Sequence, residues 1–448
     1  MAVVGAGLAG LSAARTLVGR GASVVVLEAL DRVGGRTLNG ELAGGVQVDL
    51  GAQWMGAHHL RLAELCDGLD IASFPTYGEG ENLLDVRGRT RRYSGTIPRL
   101  APHVLLDVLL ARRRVDRLAR SVGADAPWAS PLARALDSQT FATWLLRNVR
   151  TRIARDLLAI AGRTVWGTGP AELSMLHVAF YVASAGGINR LFDTEGGAQQ
   201  DRLVGGTQLV SVRMAEQLGD RVVLGAPVRR IEWRPEAVAV HADGLTVSAR
   251  RAIIAIPPAL ADRIAFSPPL PGLRRQLSQR MPLGTIAKCF AVYDEPFWRA
   301  DGLSGEAVTD AGPVTLTFDS SPPSGSPGVL LGFIGGPDAR DLLTLEPAER
   351  RAAALETFTR LFGPRAGEPI DFVEQSWAEQ EWQPGGPTSN FGPGGWTGYG
   401  PALRAPVGPL HWAGTETATV WSGYMEGALQ SGERAAEAAL EQPAEAVA

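Results

Sequence analysis

Lysine is almost missing from this sequence. Of 43 basic residues in 448, a single one, Lys288, is lysine, and the other 42 are arginine. A general preference for arginine explains the rarity but not the exception. An exposed lysine exchanges with arginine at little cost, whereas a compact amine that must be neutral in a closed site does not. Composition alone therefore marks Lys288 as a candidate functional residue. Cysteine is nearly as scarce: Cys66 and Cys289 stand alone, outside any CxxC pair or His/Cys cluster with zinc spacing. No metal is expected, and a reducing compartment fits best. No apolar run reaches the roughly 18 residues that a bilayer span needs. The opening MAVVGAG carries neither a basic n-region nor a cleavage site before its first strand. A cytoplasmic chain without a membrane partner is expected. Excess charge of one sign is also absent, since a net −4 from 43 basic and 47 acidic residues exerts no long-range pull on nucleic acid. A GxSxG elbow, an HExxH motif and a phosphate-loop GK are all missing, which removes the hydrolase and metalloenzyme readings.

What is present is an ordinary globular composition, 45% hydrophobic and 20% charged, in a chain long enough for two or three domains. It opens with an apolar strand, the turn GAGLAG at residues 5–10, an apolar-periodic stretch from Leu8 to Val18, and a second strand from Ser23 to Leu27 that ends on Glu28. Each glycine has its own duty: Gly5 makes the turn, Gly7 lets the backbone approach a pyrophosphate, and Gly10 permits close helix–strand packing. The helix N-terminus then faces the phosphates. Glu28, 18 residues after Gly10, is placed to accept from a ribose hydroxyl. The motif DRVGGRT at 31–37 follows directly, with Gly34 and Gly35 set against a second part of the cofactor and Arg36 available to a phosphate. This second motif points to FAD rather than NAD.

Farther along, the βαβ rhythm stops. Helical patterns such as Leu100 to Leu118 and Phe141 to Ile160 dominate from about 74 to 200, and the arginine run from Arg112 to Arg120 reads as a solvated helix face. Strand patterns return at Arg221 to Val240 and Leu245 to Ile256, and a second non-nucleotide block starts at Leu277 to Phe297. The expected fold class is α/β: an FAD-binding, Rossmann-like domain from residues 1–73, 204–278 and 380–448, interleaved with a mixed-sheet plus helical substrate domain from 74–203 and 279–379. The oligomeric state is left open, a homodimer among the options.

Two segments are more specific. MPLGTIAKCFAVYDEPFW at 281–298 and WAGTETATVWSGYMEGALQSGER at 412–434 closely resemble signature segments of the flavin monoamine oxidases. Further similarity runs through VDLGAQWMG at 48–56, EGGAQQDRLVGG at 195–206, GDRVVLGAPVRRI at 219–231 and AIPPAL at 255–260. The resemblance implies a monoamine-oxidase-type fold and an FAD-dependent oxidation of an amine at its carbon–nitrogen bond, with dioxygen as acceptor. It implies that Lys288 reaches the flavin through a water, that Tyr424 forms one wall of an aromatic cage, and that Trp377 packs near both. It further implies cofactor contacts at Val228, Thr415, Glu416 and Met425, and a substrate-cavity position for Gln199. Where relatives with covalent flavin carry a cysteine, this chain has Pro387, so noncovalent FAD is expected. Thr388 stands where a second cage tyrosine would be, leaving the cage one-sided or completed by another ring, with Phe391 the nearest candidate. Leu30 replaces an arginine often found after the ribose-binding acid. The substrate is expected to be a primary or secondary amine with an apolar or aromatic body. A polyamine, an L-amino acid or a biosynthetic intermediate is the alternative.

Overall fold

Short runs of apolar residues supply the first layer. The computed structural model describes residues 1–95, 98 and 100–441. In it, Ala2–Val4, Val25–Leu27, Val222–Val223, Ala252–Ile254 and Leu410–Trp412 form one parallel sheet of five strands. Most of these residues are buried, as both faces of a parallel sheet must be when helices cover them. The strands come from all three stretches expected to bind the nucleotide, although residues 442–448 of the last stretch lie outside the described residues. Helices Leu8–Gly19, Gln208–Leu218 and Met425–Glu441 pack on this sheet through one apolar core.

A mixed sheet of seven strands forms the second layer, in the order Asp371–Ser376, Ile286–Tyr293, Gly328–Gly335, Leu316–Asp319, Leu303–Thr309, Glu81–Val86 and Arg89–Tyr93. Its last two strands fall in a region whose pattern reads as helical. That region does not begin with helices, because Leu83 and Leu84 bury themselves by pairing with Ala307 and Val308. The helices start at Pro102–Val122 and continue through Phe141–Asn148, Arg152–Trp166 and Met175–Ala185. What reads as one helix from 141 to 160 is two, broken at Val149, whose extended backbone ends the first. Along the long helix Pro102–Val122, Val104, Ala111, Val115, Ala119 and Val122 turn inward while Arg113, Arg117 and Arg120 face solvent.

Phe391, Trp396 and Leu403 pack into this helical core although they lie in the last nucleotide-binding stretch of the sequence. No described helix is long and apolar enough to cross a membrane.

Candidate active site

A long cavity starts where the first glycine motif turns at the end of the Ala2–Val4 strand. A Cβ on Gly10 would lie 1.9 Å from the Gly5 carbonyl oxygen, so only glycine lets the helix begin this close beneath the turn. Gly7 caps that helix without a side-chain hydrogen bond, which leaves its first N–H groups directed at the cavity. The second glycine motif lies against the first: Gly7 bridges Gly34, and Gly34 N–H donates to the Ala6 carbonyl at 2.9 Å. Gly5, Gly7, Gly34, Gly35 and Arg36 all line the cavity.

Glu28 accepts from Ala6 N–H at 2.6 Å and from Leu30 N–H at 3.0 Å, so position 30 contributes its backbone rather than a side chain. Burial pushes the Glu28 carboxyl up, and these N–H groups with nearby Arg32 only partly offset it. Val228 opens its strand, Val228–Arg234, and lines the cavity as well. Glu416 is different, because it does not reach the cavity wall. It is buried and accepts from Arg36 at 2.6 and 3.1 Å and from Ser389 N–H at 3.1 Å. Burial alone would raise its carboxyl, but the Arg36 guanidinium outweighs burial and holds it below the usual carboxylate range. Glu416 is thus engaged with Arg36 and the Ser389 backbone and does not line the cavity itself.

Alternation along the strand Ile286–Tyr293 sends Ile286, Lys288 and Phe290 to one face and Cys289 to the other. Lys288 Nζ donates to the carbonyls of Asp49 and of Gly51 (3.0 Å) and to Gln53 Oε1 (3.0 Å). Burial pushes its pKa down to about 7, against the pull of the Asp49 carboxylate. Trp377 is fixed by donating its ring N–H to the Leu50 carbonyl at 3.0 Å and lines the cavity beside Lys288. Thr415 Oγ1 accepts from Gly423 N–H at 2.7 Å and donates to the Tyr424 carbonyl at 2.9 Å, fastening the turn that presents Tyr424 and Met425. Met425 begins the helix Met425–Glu441, so a second helix N-terminus meets this cavity. Glu426 turns away and accepts from Arg61 and Leu62 N–H at 3.2 and 3.0 Å.

Beyond Lys288 the walls become apolar: Trp54, Leu316, Phe318 and Phe333 line the cavity, with the Trp54 ring 5.0 Å from Phe318 and 5.6 Å from Phe333. Gln199 lines it too. Its amide nitrogen is spent on the Leu191 carbonyl at 3.1 Å, and its oxygen is buried with no partner among the described residues.

Phe391, expected as the second cage ring, is fully buried in the helical core, 5.0 Å from Trp396, and does not line the cavity. The ring beside Tyr424 is Tyr181, from the helix Met175–Ala185. Their centroids are 5.9 Å apart, and both line the cavity. Pro387 lines the cavity and Thr388 does not. Gln53, Trp54 and Tyr181 are the residues that motif reading passes over. Gln53 and Trp54 lie in the segment VDLGAQWMG, whereas Tyr181 sits in an apolar helix with no motif around it.

With its mouth the cavity encloses about 1950 Å³ of empty space. Its glycine cradle and the Glu28 carboxylate at one end fit the nucleotide half of a dinucleotide. The other end, walled by Trp377, Tyr424 and Lys288, fits a flat redox-active ring and a small substrate. Residues 8–440 match the family described as flavin containing amine oxidoreductase. A protein of Mycobacterium tuberculosis named as a flavin-containing monoamine oxidase is 47% identical over 97% of this chain and 95% of its own length. Among solved structures, putrescine oxidase bound to putrescine superposes with a TM-score of 0.95 at 36% identity, covering 98% of each chain. Cyclohexylamine oxidase from Brevibacterium oxydans does so with a TM-score of 0.94 at 39% identity, again covering 98% of each chain.

Proposed function

The chain belongs to the family of flavin-containing amine oxidoreductases, whose flavin is FAD, and we propose that it oxidises a primary or secondary amine with an apolar or aromatic body. One observation carries this reading. Among the described residues that line the cavity, Glu28 is the only carboxylate, and it lies at the nucleotide end.

A diamine or polyamine brings a distal ammonium whose desolvation needs a carboxylate partner. In the helical region, the buried acids Asp107 and Asp137 are engaged elsewhere. Asp107 accepts from Thr151 N–H and Oγ1, and Asp137 accepts from Ser174 Oγ and from Thr397 N–H and Oγ1. An amino-acid carboxylate would need an arginine. Among the described residues that line the cavity, Arg36 and Arg263 are the only arginines, and Arg36 is already paired with Glu416.

Bound FAD supplies the two-electron acceptor. The chain's own residues do the rest. The apolar walls from Trp54 to Phe333 exclude water and favour the uncharged amine, whose lone pair the oxidation needs. The adjacent rings of Tyr424 and Tyr181 orient the nitrogen, and Trp377 backs the site beside Lys288. Lys288 holds a proton close to where the acceptor is reduced. Dioxygen takes the electrons and two protons to give hydrogen peroxide, and water hydrolyses the imine to an aldehyde or ketone with release of ammonia or, from a secondary amine, a primary amine. With no cysteine on the cavity wall, FAD is held without a covalent bond.

Anaerobic mixing of the yellow protein with an amine panel tests the reading. Phenylethylamine, tyramine and cyclohexylamine should bleach the flavin faster than putrescine, spermidine or aromatic L-amino acids. The likeness to putrescine oxidase favours the second reading, a diamine, and faster bleaching by putrescine would replace the first reading with it.

A further inference from the structure

We infer that Gln53 sets the protonation state of Lys288 through the orientation of its side-chain amide, with Ser320 as the partner that stabilises either orientation. The inference rests on Lys288 acting beside the flavin.

The geometry around Nζ is that of an ammonium. Three oxygens surround it: the carbonyls of Asp49 and Gly51 and the amide oxygen of Gln53. An ammonium offers three N–H donors and no lone pair. A neutral amine offers two donors and one lone pair, so one of these three oxygens would face that lone pair. Two of the oxygens belong to the main chain of a segment pinned by Thr207, whose N–H donates to the Asp49 side chain at 2.7 Å, and they cannot change character. The third can. Gln53 is buried, and its amide nitrogen donates to Ser320 Oγ at 3.4 Å. A hydroxyl both donates and accepts. A half-turn of the amide therefore keeps its bond to Ser320, now with Ser320 donating, and brings an N–H donor to Nζ. Only the lone pair of a neutral amine can receive that donor. Each orientation matches one protonation state.

The surroundings leave the choice finely balanced. Burial disfavours the ammonium, and Arg202 adds repulsion, while the Asp49 carboxylate favours it. These two are the charged groups that act on Nζ. The rings of Phe290 and Phe333, centred 5.0 and 5.4 Å away, also favour the cation. Where such effects oppose each other, the acceptor or donor that Gln53 presents to Nζ weighs on the state. Gln53 lines the cavity, so whatever sits there biases the amide. A positive charge at Nζ favours negative charge developing next to it during electron transfer, and a neutral amine does not. Gln53 is thus a positioning residue that acts through Lys288.

The scarcity of lysine provides a direct readout. Because Lys288 is the chain's single lysine, lysine labelled with carbon-13 at Cε yields one NMR resonance, and its shift against pH reports this one amine. The titration is run on the FAD-loaded protein and on its Q53M and Q53E variants, with Q53L in reserve should Q53M fail to load FAD. Without the acceptor oxygen the midpoint should fall by about one pH unit or more, and with a carboxylate it should rise by about as much. A change in packing alone would not move the two in opposite directions. Any other pattern, unchanged midpoints included, overturns the inference. The reading of Lys288 is checked separately. If K288M leaves the rate of flavin oxidation by dioxygen untouched, that reading fails whatever the titration shows.

Discussion

At the scale of single residues, Lys288 and Glu416 show how burial and partners oppose each other. For Lys288 burial prevails, drawing the amine to about 7 in spite of Asp49. If its proton serves the return of electrons to dioxygen, K288M should keep FAD and fold yet slow flavin oxidation more than tenfold in stopped-flow mixing. That corresponds to about 1.4 kcal/mol of lost stabilisation. For Glu416 the partner prevails, and its carboxyl is held below the usual range by Arg36 despite burial. A carboxyl lowered in the folded state contributes stability that is present above its unfolded pKa, about 4.3, and disappears as pH falls through the folded value. Parent protein should therefore lose FAD and thermal stability on acidification below about pH 4. E416Q should already bind FAD more weakly at pH 7, because Arg36 loses its charge partner, and should lose less on acidification. Flavin release followed by fluorescence from pH 3 to pH 7 measures both, and superimposable curves would remove Glu416 from cofactor binding.

At the scale of elements, two helices meet the cavity with their N-termini, and both depend on close approach. The helix Leu8–Gly19 lies across the helix Met425–Glu441, where Ser12 Oγ donates to the Leu429 carbonyl at 3.0 Å. A Cβ on Gly432 would fall 2.2 Å from the Ala9 carbonyl oxygen. Gly432→Val should thus push the helices apart and cost about 1–3 kcal/mol, the usual range for overpacking, seen as a lower Tm. Because both N-termini meet the cavity, FAD content should fall with it. A Tm drop with full FAD content would show that the helix contact supports the fold without aiming the termini.

At the scale of the whole molecule, the cavity is walled by segments far apart in sequence: the glycine motifs near the start, Lys288 and Trp377 in the seven-stranded sheet, Tyr181 in the helical region, and Tyr424 near the end. A cofactor that fills this cavity would tie these layers together. Stripping FAD should lower Tm, and restoring it at about 100 times its Kd should return about 2.7 kcal/mol of stability. With Pro387 at the cavity wall and both cysteines buried away from it, acid precipitation should leave all the yellow colour in the supernatant. Flavin mass on a proteolytic peptide would contradict this.

The sequence by itself determined whatever depends on neighbouring residues. A turn, a helix N-terminus and the acid closing the next strand lie within one stretch of chain, so the roles of Gly5, Gly7, Gly10 and Glu28 follow from local backbone chemistry. The lone lysine and the two signature segments picked out Lys288, Thr415, Tyr424 and Met425, which the structure gathers on one cavity. Tertiary structure alone decided which rings and hydrogen-bonding groups surround that end. Phe391 is close to the Pro387 turn in sequence, yet helix packing buries it against Trp396, while Tyr181, more than 240 positions before Tyr424, is brought to its side. Lys288 faces Phe333 because antiparallel pairing sets that register, and it meets Gln53 because the segment after Asp49 crosses the face of the sheet. Side-chain contacts of this kind arise from packing between layers, which no local pattern encodes.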